Sequence, residues 1–125
     1  MDISTLQAQI RAARQISLSA GGITFSLELP SDHAWRTILE SNRDEAGNLL
    51  YCQAANAMLG KAITGWSGAT VRDLLPDGNE EALDFSPAAR AELLDARQDI
   101  ADELMAEVGK RLAERRDKRD AARKN

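Results

Sequence analysis

The residues best suited to catalysis in this 125-residue chain are a single histidine and a single cysteine. Asp32 precedes His33, and a carboxylate beside an imidazole is the pair that activates a nucleophile in many hydrolases. Adjacent residues of a helix point in different directions, however, and no serine or cysteine is placed to complete such a set. His33 is therefore interpreted as a surface residue. Cys52, on the apolar side of a predicted helix, is interpreted as a small buried hydrophobe.

Metal, phosphate and disulfide chemistry have no support in the sequence. One histidine and one cysteine exclude His-based metal clusters, zinc fingers and an internal disulfide. Acidic pairs such as Asp99 with Glu103 lie outside any calcium-loop pattern, and no glycine-rich phosphate loop is present. We therefore expect no enzyme activity, no metal and no cofactor.

Trp66 is the first candidate for a binding role. A large ring presented between two glycines, here Gly65 and Gly68, suits an anchor on a partner surface. The competing interpretation is that the glycines let the chain turn, so that Trp66 lies over the preceding helix as part of the core. Aromatic residues make up only 4% of the chain, which favours the second interpretation.

The charge of the chain is divided unevenly. Residues 1–107 carry a net charge of −9 and residues 108–125 carry +5, which together give the −4 of the whole chain. The basic residues of the tail are able to neutralise phosphates, but interleaved acids, the acidic body and the lack of an aromatic residue after Phe85 disfavour nucleic acid. The sequence predicts instead a solvated helix that projects from the body and serves as a handle for a protein partner.

Two elements are predicted for the first thirty residues. Apolar residues at helical spacing predict a short amphipathic helix over residues 2–14. Alternating apolar and polar residues on both sides of Gly21-Gly22 then predict a β-hairpin over residues 16–29, which Pro30 ends.

The rest of the chain is predicted to be helical around an ordered central loop. One helix begins after Ser31, another runs over residues 49–63, and a loop region leads to residue 86. Helices are expected over 87–95 and 97–120, with a break near Asp95. The predicted fold class is α+β and predominantly α-helical: an N-terminal hairpin, four to five helices and a long C-terminal helix. Residues 1–112 form one globular domain, and residues 113–125 form a charged helical extension.

The sequence also carries expectations about location. No apolar run approaches the roughly 18 residues that a membrane-spanning helix needs. The first residues, Met1-Asp2-Ile3-Ser4, lack the basic start and apolar core of a signal peptide. We expect the protein to act inside a cell and away from membranes.

Several features of residues 23–107 occur in a specific order. An alternating strand ends in proline and is followed by a helix with a tryptophan, by Gly65-Trp66-Ser67-Gly68, by an acidic turn with proline and glycine, and by the helix start Phe85-Ser86-Pro87. This order resembles the small tail assembly chaperones of long-tailed bacteriophages and prophages. The most specific parts are the Gly-Trp-x-Gly segment and the helix start about twenty residues later.

The resemblance implies a non-enzymatic protein of the host cytoplasm that binds the phage tape-measure and tail-tube proteins during tail assembly. Its helices would present an apolar surface to the client, with methionines at exposed edges. The residues predicted to contact a partner are Trp66, Met58, Met105, Leu104, Val108, Leu112, Arg115 and Arg116. Self-association is left open. The alternatives are a structural tail or neck protein retained in the virion, and a small nucleic-acid-binding regulator that uses the basic tail.

Overall fold

Helices and strands cover most of residues 1–124, which are the residues that the computed structural model describes. The helices are α1 (Ile3–Ala13), α2 (Asp32–Ser41), α3 (Tyr51–Ala62), α4 (Val71–Leu74), α5 (Pro87–Ala96) and α6 (Gln98–Lys124). The strands are β1 (Gln15–Ala20), β2 (Ile23–Glu28) and β3 (Ile63–Ser67). The predicted α+β class, mostly helical and with a long C-terminal helix, is confirmed. Two of the described elements were not predicted, the short helix α4 and the strand β3.

The predicted hairpin is confirmed and forms two strands of an antiparallel sheet with the order β1-β2-β3. Gly21 and Gly22 connect β1 to β2 with φ angles of 58° and 80°. Two successive positive φ angles are what a two-residue type I′ hairpin turn requires, and glycine adopts them without steric cost. Ala20 pairs with Ile23 across the turn, so the register places the apolar residues of both strands on one face.

The third strand corrects the expectation of a loop over residues 64–68. Residues Ile63–Ser67 pair with β2, and Phe25 lies opposite Trp66. Glycine is a poor strand former, and Gly65 and Gly68 therefore suggested a loop. Pairing with β2 overrides that local preference. The single-turn helix α4 was also missed, since four residues are too few to show a helical period.

One hydrophobic core joins the inner face of the sheet to α3, α5 and α6. Along β2, Ile23, Phe25 and Leu27 are fully buried and alternate with exposed residues. The largest fully buried side chains outside the hairpin come from α3, β3, α5 and α6: Met58, Leu59, Ile63, Leu93, Ile100, Leu104 and Val108. The core therefore extends well beyond the last aromatic residue into the first half of α6.

The break between α5 and α6 lies at Arg97, two residues after the position predicted for it. The backbone of Arg97 leaves helical geometry, and its guanidinium donates to Asp99 at 2.9 Å and to Asp73 at 3.3 Å. Arg97 thereby ties the start of α6 to α4. From Gln98, α6 continues without interruption to Lys124, through the predicted limit of the globular domain at residue 112.

Helix α1 confirms the predicted amphipathic segment but has no buried residue. The Asp2 side chain caps it, accepting a hydrogen bond from the Thr5 amide at 2.7 Å. Its apolar residues Ile3, Leu6 and Ile10 are 64%, 41% and 39% exposed. The amphipathic face of α1 is therefore open within a single copy of the chain.

Candidate partner-binding groove

A groove of about 510 Å³ lies between α2, the first residue of α3 and residues 105–119 of α6. Its apolar lining consists of the half-buried Trp35, Leu39 and Leu112, the buried Met105, and Tyr51, whose side chain is largely exposed. Grooves with an apolar floor are typical sites for the apolar face of a helical segment. We call this site the α2–α6 groove.

Arginines dominate the rim of the α2–α6 groove. Four arginines line it: Arg36, Arg115, Arg116 and Arg119. Asp32 is the only acidic residue among the lining residues. A guanidinium presents its donors in a planar fork that matches a carboxylate. The site therefore combines apolar contact area with recognition of negative charge.

The local sequence explains how α2 presents its side of the groove. Ser31 caps α2, because its hydroxyl accepts a hydrogen bond from the Ala34 amide at 3.1 Å. Trp35 and Leu39 are four residues apart and share one helical face. The buried residue of α2 is Ile38, next to that face. The helix is thus anchored by one residue while its neighbours line the groove.

Gly109 leaves space at the centre of the α6 side. Met105 and Leu112 flank it along the helix, and apart from its chain neighbours and the backbone of its own helix, no atom lies within 4 Å of the position that a Cβ at Gly109 would occupy. A glycine inside a long helix is unfavourable by roughly 0.5–1 kcal/mol relative to alanine. At this position its absent side chain contributes directly to the volume of the groove.

The basic tail is tied to the body through Arg115 and Arg119, which corrects the expectation that all of it projects from the body. Arg115 donates one hydrogen bond to the Pro30 carbonyl oxygen at 2.8 Å and another to Asp32 Oδ1 at 2.9 Å. Arg119 donates to the other carboxylate oxygen of Asp32. The Arg119 hydrogen bond, and the positive charges of both arginines, lower the pKa of Asp32 below its ordinary value of 3.8.

The lowered pKa of Asp32 gives a testable pH dependence. Because the folded-state pKa lies below the unfolded one, the contact stabilises the fold above the unfolded pKa and is lost as the pH falls through the folded value. We expect a carboxyl ¹³C NMR titration of Asp32 to have its midpoint below 3.8, and Arg119→Gln to move that midpoint upward. Arg116→Gln is the matched control, since Arg116 lines the same groove. Equal midpoints in the two variants would contradict the assignment.

The structure brings four of the eight predicted partner-binding residues to the α2–α6 groove: Met105, Leu112, Arg115 and Arg116. Three others, Met58, Leu104 and Val108, are core residues with at most 1% of their surface exposed. The expectation that Met58 and Met105 lie at exposed edges is wrong, because both side chains are buried, Met105 with 5% exposed. Helix α6 buries them by packing against α3 and β1.

The eighth residue, Trp66, lies on β3 and does not line the groove. Its indole N–H donates to the Leu83 carbonyl oxygen at 2.9 Å. Its ring meets Phe85 edge-on at 5.0 Å between centroids and Phe25 at 6.2 Å. The half-buried Trp66 packs against the core, as the competing interpretation held, and its neighbours are these two rings.

Five other groove residues were not among the predicted partner-binding residues: Trp35, Arg36, Leu39, Tyr51 and Arg119. A tryptophan followed by arginine and leucine on one short helix is the only local signal. Cys52, predicted to be buried, is exposed. His33 is exposed, and the carboxylate of Asp32 binds arginines of α6.

Comparisons with known proteins add no identification to this geometry. The chain matches no protein-family model, no curated protein and no solved structure. Among residues 1–124, no group of three or more His, Cys, Asp and Glu side chains is arranged to hold a metal ion. None of the helices described is both long and apolar enough to cross a membrane.

Proposed function

We propose that the protein is a non-enzymatic tail assembly chaperone of a long-tailed bacteriophage or prophage, acting in the host cytoplasm. The α2–α6 groove is the observation that carries this proposal. An apolar floor with an arginine rim suits transient capture of a helical client segment, and tape-measure and tail-tube proteins are the clients that the sequence resemblance implies.

The client segment that fits the groove is an amphipathic helix with acidic flanks. Apolar side chains one or two turns apart would contact Trp35, Leu39 and Leu112. Carboxylates beside them would meet Arg36 and Arg116, whose side chains are exposed and positively charged. The two arginines that hold Asp32 indicate that this rim accepts carboxylates.

A chaperone of this kind needs contacts that are easily displaced. The groove is open to solvent and small compared with a long client, so several copies would share one client molecule. Exposed ion pairs contribute only about 0.2–1 kcal/mol each, which suits a contact that tube polymerisation must reverse.

Co-expression with a tape-measure protein tests the proposal. We expect the tape-measure protein to remain soluble with the unaltered chain and to precipitate with Gly109→Leu, which fills the groove. The control is Ala106→Leu, an exposed position on the same helix outside the groove lining. Leucine is a better helix former than glycine and only slightly poorer than alanine, and both positions are exposed, so neither variant should unfold the protein. A tape-measure protein that is equally soluble with and without the unaltered chain would contradict the chaperone function.

The two alternatives predict different results. A structural tail or neck protein would be present in stoichiometric amount in mass spectra of purified virions, whereas a chaperone would be absent. A nucleic-acid binder would lose DNA binding when residues 113–125 are removed. Against the second alternative, Arg115 and Arg119 already bind Asp32, which reduces the positive charge available to phosphates.

A further inference from the structure

The outer edge of β1 has unpaired backbone groups. Strand β1 pairs with β2 on one side only and is an edge of the sheet. Just before β1, the Arg14 carbonyl oxygen accepts a hydrogen bond from the Leu29 amide at 2.8 Å. Along an antiparallel pair, residues that are hydrogen-bonded to the neighbouring strand alternate with residues that are not. Ile16, Leu18 and Ala20 therefore bond to β2. The N–H and C=O groups of the alternate residues, Gln15, Ser17 and Ser19, point away from the sheet.

This edge lacks the usual protection against pairing with another strand. Edge strands of natural proteins are commonly blocked by charged side chains, proline or a bulge. Residues Gln15–Ala20 contain no charged residue and no proline, and their register with β2 is regular throughout. The irregularity in this sheet lies between β2 and β3. Helix α6 packs against β1, with Ile100 next to Gly21. Among the described residues, no other element makes a backbone hydrogen bond to Gln15, Ser17 or Ser19.

The open edge directly follows helix α1 in the sequence. Arg14 alone separates α1 from β1, and the exposed Ile3, Leu6 and Ile10 lie on the helix side of it. The first twenty residues thus carry two surfaces that natural proteins normally cover, an unprotected strand edge and an exposed apolar helix face.

We propose that two copies of the chain associate by antiparallel pairing of their β1 strands, which joins two three-stranded sheets into one of six strands. Ser17 lies on the two-fold axis, and Gln15 of each copy pairs with Ser19 of the other. In this register Arg14 lies opposite Ala20, so α1 of each copy leaves the shared sheet beside the hairpin turn of the other. This association is independent of the chaperone function.

A second copy is the occupant that the edge fits best. An isologous interface must be complementary to itself, and each free N–H of Gln15, Ser17 and Ser19 meets a free C=O under the two-fold rotation. A charged residue near the axis would face its own copy, and this edge has none. A stable dimer buries roughly 1,200 Å² or more, which exceeds what a six-residue strand supplies. The apolar face of α1 is therefore part of the interface.

Sedimentation equilibrium of the full chain tests the proposal. We expect a species of twice the 13.6 kDa chain mass. Ser17→Lys places two like charges across the axis and should raise the dimer Kd about fivefold. The control is Ser67→Lys, which changes another exposed serine on the opposite edge of the same sheet. It should leave the Kd unchanged.

A second variant tests the interface without any change in strand β1. Leu6→Ser combined with Ile10→Ser alters only exposed side chains of α1 and should also weaken the dimer. A chain that stays monomeric at millimolar concentration overturns the proposal. So does equal weakening by Ser17→Lys and Ser67→Lys. An unchanged Kd in the α1 variant removes α1 from the interface and overturns that part.

Discussion

Replacing Leu104 with alanine is expected to lower the free energy of unfolding by about 3 kcal/mol. Leu104 is 1% exposed and belongs to the cluster that joins α6 to the sheet and α3. Truncation removes buried methyl groups and leaves a cavity that the close-packed surroundings fill only in part. Because domains of this size are stable by about 5–15 kcal/mol, the loss should be evident in a urea unfolding curve.

The matched control for this prediction is Leu75→Ala, the same substitution at a leucine that is 58% exposed. It should change the free energy of unfolding by no more than about 0.5 kcal/mol. The comparison also decides the role of Leu104, which the sequence assigned to partner binding. A Leu104→Ala protein with unaltered stability and lost client solubilisation would contradict the core assignment.

Replacing Trp66 with alanine is expected to lower the free energy of unfolding by about 3 kcal/mol. The change removes the edge-on contacts with Phe25 and Phe85 and the indole hydrogen bond to the Leu83 carbonyl oxygen. Trp66→Phe keeps an aromatic ring but leaves that half-buried carbonyl oxygen without its donor, so a loss of about 1 kcal/mol is expected. Thermal or urea unfolding of both variants measures the two contributions.

Tyr51→Ala serves as the control for Trp66, because Tyr51 is 52% exposed and lines the groove. It should alter client binding more than stability, whereas Trp66→Ala should alter stability first. If Trp66→Ala leaves the unfolding curve unchanged and abolishes client solubilisation, Trp66 is a partner anchor and the core assignment is wrong.

The elements that the sequence predicted correctly are those with local signals. Ser31 and Ser86 cap their helices through hydrogen bonds to the amides of Ala34 and Ala89, as their positions indicated. Gly21-Gly22 forms the turn between two alternating strands. The third strand lacked such a signal, because Ile63–Ser67 is stabilised by pairing with residues about forty positions earlier.

The groove could be predicted only in part for a similar reason. Its α6 side was found from the apolar and basic residues of one helix, but its α2 side was not. Asp32 and Arg115 are 83 residues apart in the sequence, and no local pattern relates them. The tail was expected to be free because it has no apolar stripe after Leu112. Hydrogen bonds to Pro30 and Asp32 hold it in place instead.

Negative and positive charges are separated along α6. Over its first ten residues, 98–107, the helix carries a net charge of −4, and over residues 108–124 it carries +5. The helix is about 40 Å long, so the separated charges form a large electric dipole. The macrodipole of a helix favours this arrangement at both ends. An acidic partner is therefore steered toward the groove end during diffusional encounter, at a rate that falls as salt is added.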